Sequence, residues 1–227
     1  MKWLIWKDYR VNRLIFITTL VLLVAPHALV AISIWRGAGG PTSPADAFMA
    51  SSVYALGLLQ LAFALLGGNS IAGERIDRSA EFLAYLPVSR GRILTSKLLV
   101  ALAAVPLVWL PNLVIFAVIY AARPAGPTPP VEYILCVLGS IAITGLTFFC
   151  VAWLFSCMLR SPTFSVCAGL ITPFLVVTGI CWVVYLLKLP NPGSPLIVLW
   201  WYGGLCLVIS AASFLSGALY YLRRVEP

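Results

Sequence analysis

Six long apolar runs divide the chain, and they constrain its fold more than any other feature. They cover about residues 14–35, 48–72, 94–121, 132–158, 164–187 and 196–222. A helix that crosses the hydrocarbon core of a bilayer needs about 20 such residues. Because the runs are continuous and do not alternate, they predict helices and not the strands of a membrane barrel. The sequence therefore predicts an all-α polytopic membrane protein with six transmembrane helices.

The composition excludes an ordinary soluble domain. Hydrophobic residues make up 62% of the chain, charged residues only 10%, and the mean hydropathy is +1.01. Soluble domains carry about 25% charged residues. Segments rich in proline and glycine separate several runs, at 36–47, 123–130 and 188–195, whereas the short stretch "LRSP" (159–162) joins runs four and five. We expect one transmembrane domain over residues 1–227.

The distribution of lysine and arginine predicts the orientation, since positive loops stay on the cytoplasmic side of a membrane. In a six-span arrangement, only Arg36, Arg123 and Lys188 lie on one face. The other twelve lie on the opposite face: Lys2, Lys7, Arg10, Arg13, Arg75, Arg78, Arg90, Arg92, Lys97, Arg160, Arg223 and Arg224. We expect a cell (inner) membrane location with both termini cytoplasmic. This topology explains the net charge of +8 without any nucleic-acid partner.

The first thirteen residues, "MKWLIWKDYRVNR", predict a helix that lies in the membrane interface before the first span. On a helical wheel the apolar side chains gather away from the basic ones, namely Trp3, Leu4, Trp6 and Val11 against Lys2, Lys7, Arg10 and Arg13. Tryptophans at headgroup depth and basic groups toward anionic lipid are typical of interfacial helices. Because the next apolar run is too long for a signal peptide, we expect an uncleaved first span.

No pattern of catalytic or metal-binding residues is found. The six cysteines form no CxxC pair, and His27 is the single histidine. The stretch "GRILTSKL" (91–98) differs from a phosphate-binding loop, because Ser96 replaces a required glycine and Leu98 a required hydroxyl. We expect no metal, no cofactor and no ATP site, and therefore no enzyme.

Few polar side chains lie inside the predicted spans, the amides being Gln60, Asn69 and Asn112. A carrier driven by an ion gradient normally has an ionisable residue near the middle of the membrane, and the sequence places none deep in a span. The energy source is therefore expected outside the chain. The pair Gly67 and Gly68 predicts close helix packing.

Charge is concentrated in the loop "GERIDRSAEFLAYLPVSRGR" (73–92), between spans two and three. The spacing predicts a short amphipathic helix, with Ile76, Ala80 and Leu83 on one side. Charged residues occupy the exposed remainder, where they can form surface pairs: Glu74, Arg75, Asp77, Arg78 and Glu81. Pro87 ends this helix, and Ser89 caps a new one that runs through Lys97 into span three.

This loop resembles that of the ABC-2 type transporter permeases. The matching positions occur in one ungapped register: Glu74-Arg75, Ser79, Glu81, Leu83, Pro87, Ser89-Arg90 and Lys97. Arg78 stands where the family often has glycine. The stretch "WKDYR" also looks like the interfacial helix that precedes span one in this family.

The resemblance implies a permease subunit that moves an unidentified substrate, in the export direction, without an ATPase site of its own. Two six-span subunits would pair, as a homodimer or with a paralogue, and each would dock a separate cytoplasmic ABC ATPase through the helix between spans two and three. By position, the residues that would couple the ATPase to the membrane helices are Glu74, Arg75, Glu81, Leu83, Pro87, Arg90 and Lys97.

Two other classes of function stay open. A gradient-driven carrier or channel would lose transport when an uncoupler is added. A membrane assembly factor or immunity protein would bind partners but move no substrate.

Overall fold

The computed structural model describes residues 2–37, 43–76, 89–122, 131–186 and 195–224, and within these ranges every regular element is an α-helix. There are six: α1 (Lys2–Trp35), α2 (Pro44–Ile76), α3 (Arg90–Ala122), α4 (Val131–Met158), α5 (Pro162–Leu186) and α6 (Pro195–Arg224). The predicted all-α class is confirmed.

Five of these helices are long and apolar enough to cross a membrane: α1, α2, α3, α4 and residues Trp200–Arg223 of α6. In α5 the described apolar stretch, Pro162–Leu175, is shorter. The protein is therefore a multi-pass membrane protein, and its sixth span stays a prediction.

Local chemistry explains where two of the helices begin. Pro44 is the first residue of α2, where a missing amide hydrogen is tolerated. The Ser43 hydroxyl accepts a hydrogen bond from the Asp46 amide at 3.2 Å and donates to the Asp46 carboxylate at 2.8 Å. Helix α3 begins at Arg90, directly after Ser89, as predicted. The carbonyl of Ser89 accepts from the amides of Arg92 and Ile93 at 2.9 and 3.3 Å.

Helix α1 joins the expected interfacial helix and the expected first span in one continuous element, and the membrane position of its first turns stays a prediction. It continues unbroken from Lys2 to Trp35, and no boundary occurs near residue 13. No glycine or proline interrupts residues 2–25, so nothing in this segment opposes helix continuation. The side chains of Asp8 and Asn12 are buried, so the polar side of this segment faces other helices.

The end of α2 corrects the predicted start of the loop helix. The sequence placed residues 73–76 in a separate amphipathic helix, but they form the last turn of α2. Glu74 is buried and not on an exposed surface. The rest of the expected amphipathic helix, from residue 77 to 88, lies outside the described residues.

Helix α2 is at the centre of the packing, since it contacts α1 and α3 on one side and α4 and α5 on the other. Helix α4 in turn packs against α5 and α6. The short connection from α4 to α5 has the predicted position, because α4 ends at Met158 and α5 begins at Pro162. The buried core includes Leu59 and Phe63 of α2, Val108 of α3, and Trp153 of α4.

Candidate functional site

The buried side of α1 is polar over its first half. Buried residues recur at Leu4, Asp8, Asn12, Thr19 and Leu23, a spacing that keeps them on one side of the helix. Burying a carboxylate without a partner is costly, so Asp8 requires a compensating charge or hydrogen-bond donors.

Four charged side chains meet where α1, α2 and α3 come together, and we call them the ion cluster: Lys7, Asp8, Glu74 and Lys97. Glu74 Oε1 contacts both lysines, Lys97 Nζ at 2.9 Å and also Lys7 Nζ. Lys97 Nζ lies 3.7 Å from Asp8 Oδ1. With two cations and two anions the cluster is neutral, which is the condition under which buried charges are tolerated.

Burial varies within the ion cluster. The side chains of Lys97, Asp8 and Glu74 are 5–7% exposed, whereas that of Lys7 is 17% exposed. Water therefore has its easiest access from the α1 side. The Glu74–Lys97 pair, which joins α2 to α3, is the more shielded of the two lysine contacts of Glu74.

Uncharged groups complete the hydrogen bonding of the ion cluster. The Ser96 hydroxyl donates to Asp8 Oδ2, and Lys97 Nζ donates to the carbonyl of Ser70 at 2.5 Å. Asn69 Nδ2 donates to Asn12 Oδ1 at 3.0 Å, which adds a second link between α2 and α1. A buried network with its members bonded in this way links the three helices to one another.

The ion cluster lies beside the ends of the two helices that lead into and out of residues 77–88. Glu74 is two residues before the end of α2, and Lys97 is seven residues after the start of α3. A displacement of residues 77–88 would therefore act on both sides of the Glu74–Lys97 pair. Lys7 and Asp8 extend this contact to α1.

On its other side, α2 packs against α4 and α5 through positions without side chains. A Cβ atom added at Gly67 would lie 2.4 Å from the carbonyl oxygen of Phe149, and one at Gly68 would lie 2.9 Å from the Val166 nitrogen. The predicted role of this glycine pair in close packing is confirmed. In addition, the Ser156 hydroxyl of α4 accepts hydrogen bonds from the amides of Ile71 and Ala72 at 3.0 and 2.9 Å.

Two arginines that the sequence assigned to coupling contact helix ends. Arg75 Nη1 and Nη2 donate to the carbonyls of Leu159 and Cys157, each at 2.9 Å, at the end of α4. Arg90 Nη1 donates to the carbonyl of Leu222 at 3.3 Å, near the end of α6. Carbonyls at a helix C-terminus lack partners within the helix, and cations stabilise them.

Of the seven residues predicted for coupling, the structure brings together Glu74 and Lys97. Arg75 and Arg90 lie on other helix ends, as described above. Glu81, Leu83 and Pro87 lie outside the described residues.

Sequence reasoning missed the α1 side of the ion cluster, in particular Lys7 and Asp8. Lys7 was expected to face lipid headgroups, but its ammonium group contacts Glu74. One signal was present in the sequence: Asp8 is the single acidic residue among residues 1–45. An isolated acid between basic neighbours requires a partner from elsewhere in the chain.

The charges of the ion cluster do not form a metal site. Within the described ranges, no group of three or more histidine, cysteine, aspartate or glutamate side chains could hold a metal ion. Its geometry is that of paired ammonium and carboxylate groups, which can transmit force between helices or respond to a change of charge.

Long apolar helices around a buried ion cluster define a multi-pass membrane protein with a charged contact between its helices. The chain belongs to the ABC-2 transporter family: the sequence profile described as ABC-2 family transporter protein matches residues 6–179. The matched region includes the ion cluster and residues 77–88. No curated protein and no solved structure matches the chain.

Proposed function

We propose that the chain is the transmembrane subunit of an ABC exporter driven by a separate cytoplasmic ATPase, and that it pairs with a second six-span subunit. Membership of the ABC-2 family supports the permease role. Both termini and residues 77–88 would lie on the cytoplasmic side, since that face carries twelve of the fifteen lysines and arginines.

The observation that carries this proposal is the Glu74–Lys97 ion pair, with Lys7 and Asp8 beside it. It connects the two helices that flank residues 77–88 and links both of them to α1. Movement of an ATPase bound to residues 77–88 would reach three membrane helices at once. Ion pairs suit this task, because the attraction between opposite charges is strong inside a protein and changes with the distance between them.

Residues 77–88 would provide the docking surface. In this proposal Glu81 and Leu83 contact the ATPase, and Pro87 sets the end of the docking helix. Arg75 and Arg90 would stabilise the helices on either side of this surface, since they bind α2 and α3 to the ends of α4 and α6.

The first test is isolation of the chain from its native membrane, with identification of any ATPase that co-purifies. In the reconstituted complex, Glu81→Lys should lower transport-coupled ATP hydrolysis while leaving the thermal unfolding of the membrane helices unchanged. The matched control is Glu132→Lys, a reversal of an exposed acid at the start of α4. It should leave ATP hydrolysis unchanged. Substrate movement in liposomes that lack any ATPase would contradict the proposal.

One observation favours a second candidate, a proton-driven carrier. The ion cluster holds ionisable groups between three helices, close to the ends of α2 and α3. An uncoupler distinguishes the two candidates: it should abolish transport by a proton-driven carrier and leave ATP-driven transport intact when ATP is supplied to the ATPase side.

A further inference from the structure

Two polar side chains inside the apolar part of the helices are bound to neighbouring residues of α2. His27 Nδ1 of α1 contacts the Ser51 hydroxyl at 2.7 Å, and Asn112 Nδ2 of α3 donates to the Ser52 carbonyl at 2.9 Å. Because Ser51 and Ser52 are consecutive, α1 and α3 place these polar groups at the same level of α2. We call His27, Ser51, Ser52 and Asn112 the histidine site.

Two acceptor atoms of the histidine site lack a donor. The Ser51 hydroxyl donates its proton to the Phe48 carbonyl at 2.7 Å, so it accepts from His27 Nδ1. In a neutral imidazole the other nitrogen, Nε2, then carries no proton and is an acceptor. Among the described residues, no group donates to His27 Nε2 or to Asn112 Oδ1, although both atoms are buried and Asn112 is 0% exposed. A buried acceptor without a donor is costly, so both atoms favour a ligand that can donate.

The histidine site lies far from the ion cluster, in the other half of the helices. His27 is about 28 Å beyond Asp8 along α1, and Asn112 is about 22 Å beyond Lys97 along α3. No aspartate, glutamate, lysine or arginine occurs in the surrounding helix segments, which are residues 14–35, 47–73 and 98–122. Polar groups at such depth in spanning helices are costly, and they commonly mark the path or site of a ligand.

A proline directly precedes each of the two side chains, Pro26 in α1 and Pro111 in α3. Because proline has no amide hydrogen, Pro26 cannot donate to the Leu22 carbonyl, and Pro111 cannot donate to the Leu107 carbonyl. Sharp bends in long helices typically occur at proline. A bend of α1 or α3 at this level would give a ligand access to acceptors that are shielded in the present arrangement.

The chemistry of the histidine site selects a neutral donor. Both atoms without a partner are acceptors, so the ligand must present O–H or N–H groups. An ammonium group would bring a charge into helix segments that contain no carboxylate to balance it, and burying an unpaired charge is costly. A hydroxyl group satisfies an acceptor without adding charge. Water and the hydroxyl of a larger molecule share this chemistry.

We propose that the histidine site binds an apolar molecule through its hydroxyl groups, with His27 Nε2 and Asn112 Oδ1 each accepting one hydrogen bond. The inference rests on the proposed transport function and adds to it the chemical class of the transported molecule, a neutral alcohol. One hydroxyl supplies one proton, so a molecule with two neighbouring hydroxyls satisfies both acceptors.

Nuclear magnetic resonance of the imidazole tests the site, because His27 is the single histidine of the chain. The full-length chain is labelled with ¹⁵N-histidine and placed in phosphatidylcholine nanodiscs at about pH 8, where an ordinary imidazole is neutral. A hydrogen bond to an acceptor nitrogen moves its resonance toward that of a protonated nitrogen. We expect a proton on Nδ1, and a saturable shift of the Nε2 signal when a vicinal hexanediol is added.

Two related probes separate hydrogen bonding from partition into the bilayer. Hexanol has one hydroxyl and should bind about fivefold more weakly than the hexanediol, as expected for the loss of one hydrogen bond. The dimethyl ether of the hexanediol has no O–H group and should not shift the Nε2 signal. Both comparisons use the wild-type chain, so they do not depend on the folding of any variant.

Substitution of Asn112 tests the second acceptor. Asn112→Leu keeps the approximate shape of the side chain and should weaken hexanediol binding about fivefold, to the level of hexanol. Gln60→Leu is the matched control, because it removes another buried amide of α2 whose oxygen lies against Gly145 of α4. It should leave hexanediol binding unchanged.

Four results would overturn the proposal. An Nε2 signal that no probe shifts would mean that no hydroxyl group binds. Equal shifts with the hexanediol and its dimethyl ether would mean that the probes act through the bilayer. Magnetisation transfer from water to the imidazole, without a response to the hexanediol, would mean that the site holds water only. A proton on Nε2 in place of Nδ1 would contradict the assignment of the acceptor. None of these measurements involves an ATPase, so their failure leaves the ATP-driven mechanism to its own test.

Discussion

The two sides of α2 are held by different kinds of contact. Toward α1 and α3, the contacts are made by the ends of long side chains, above all Glu74 with Lys97 and Lys7. Toward α4 and α5, the contacts are made by the backbone at Gly67 and Gly68. The same helix therefore has an ionic side and a close-packed side.

This difference indicates which neighbours move together. Close backbone packing permits little displacement, because protein interiors are dense and atoms cannot overlap. A lysine ammonium group has a flexible stem and can keep a carboxylate partner while the helices shift. We therefore expect α2 to move with α4 and α5 as one body, and to move relative to α1 and α3.

The largest expected effect comes from removing the centre of the ionic side. Glu74→Gln leaves both lysines without their shared carboxylate, and breaking a buried ion pair costs about 3–5 kcal/mol. We expect a loss of that size in the free energy of unfolding, measured by chemical denaturation in detergent. Glu132→Gln, at an exposed position, is the control and should stay within about 0.5 kcal/mol. If Glu74→Gln and Glu132→Gln lowered the free energy of unfolding equally, the ion cluster would contribute no more to stability than an exposed acid.

The close-packed side is tested by adding one methyl group. Gly67→Ala places a Cβ 2.4 Å from the carbonyl oxygen of Phe149, so α2 and α4 must separate. Overpacking of this kind costs about 1–3 kcal/mol. Gly57→Ala is the matched control on the same helix, because a Cβ there meets nothing within 4 Å. Since alanine favours helix, the control should stabilise the protein by up to about 1 kcal/mol. If Gly67→Ala were equally stabilising, the close-packed side would be looser than described.

The smallest expected effect separates the two lysines of the ionic side. Lys7→Met removes the more exposed cation, while Glu74 keeps Lys97 at 2.9 Å. We expect a loss of about 1 kcal/mol or less, since pairs open to water contribute little. Lys97→Met should cost several times more, because it leaves Glu74 and Asp8 with less compensation in the shielded part. Denaturation of the two variants under identical conditions compares them, and the reverse order would contradict the assignment of Lys97 as the main partner.

Much of the architecture could be predicted because it depends on local sequence. Continuous apolar runs predict the helices, Ser89 lies where α3 begins, and the glycine pair predicts close packing. Each of these sequence features lies within a few residues of the structural feature that it predicts.

The ion cluster could not be predicted in full, because its partners are far apart in the chain. Sixty-seven residues separate Lys7 from Glu74, and eighty-eight separate Asp8 from Ser96. A charge near the end of an apolar run looks the same in sequence whether it faces water or another helix. The unbroken length of α1 was missed for the same reason: the polar residues of its first turns suggested a membrane surface, but they find their partners on α2 and α3.

The length of α1 has a consequence for the membrane around it. Its 34 residues extend about 50 Å, which exceeds the roughly 30 Å of the hydrocarbon core. Trp35 is 86% exposed, as suits a membrane–water interface. Asp8 then lies about 40 Å away along the axis, at the level of the opposite headgroups. A thicker bilayer would bring hydrocarbon closer to these charges and favour a more upright helix. A change in membrane thickness would therefore act on the same charges as a movement of the proposed ATPase.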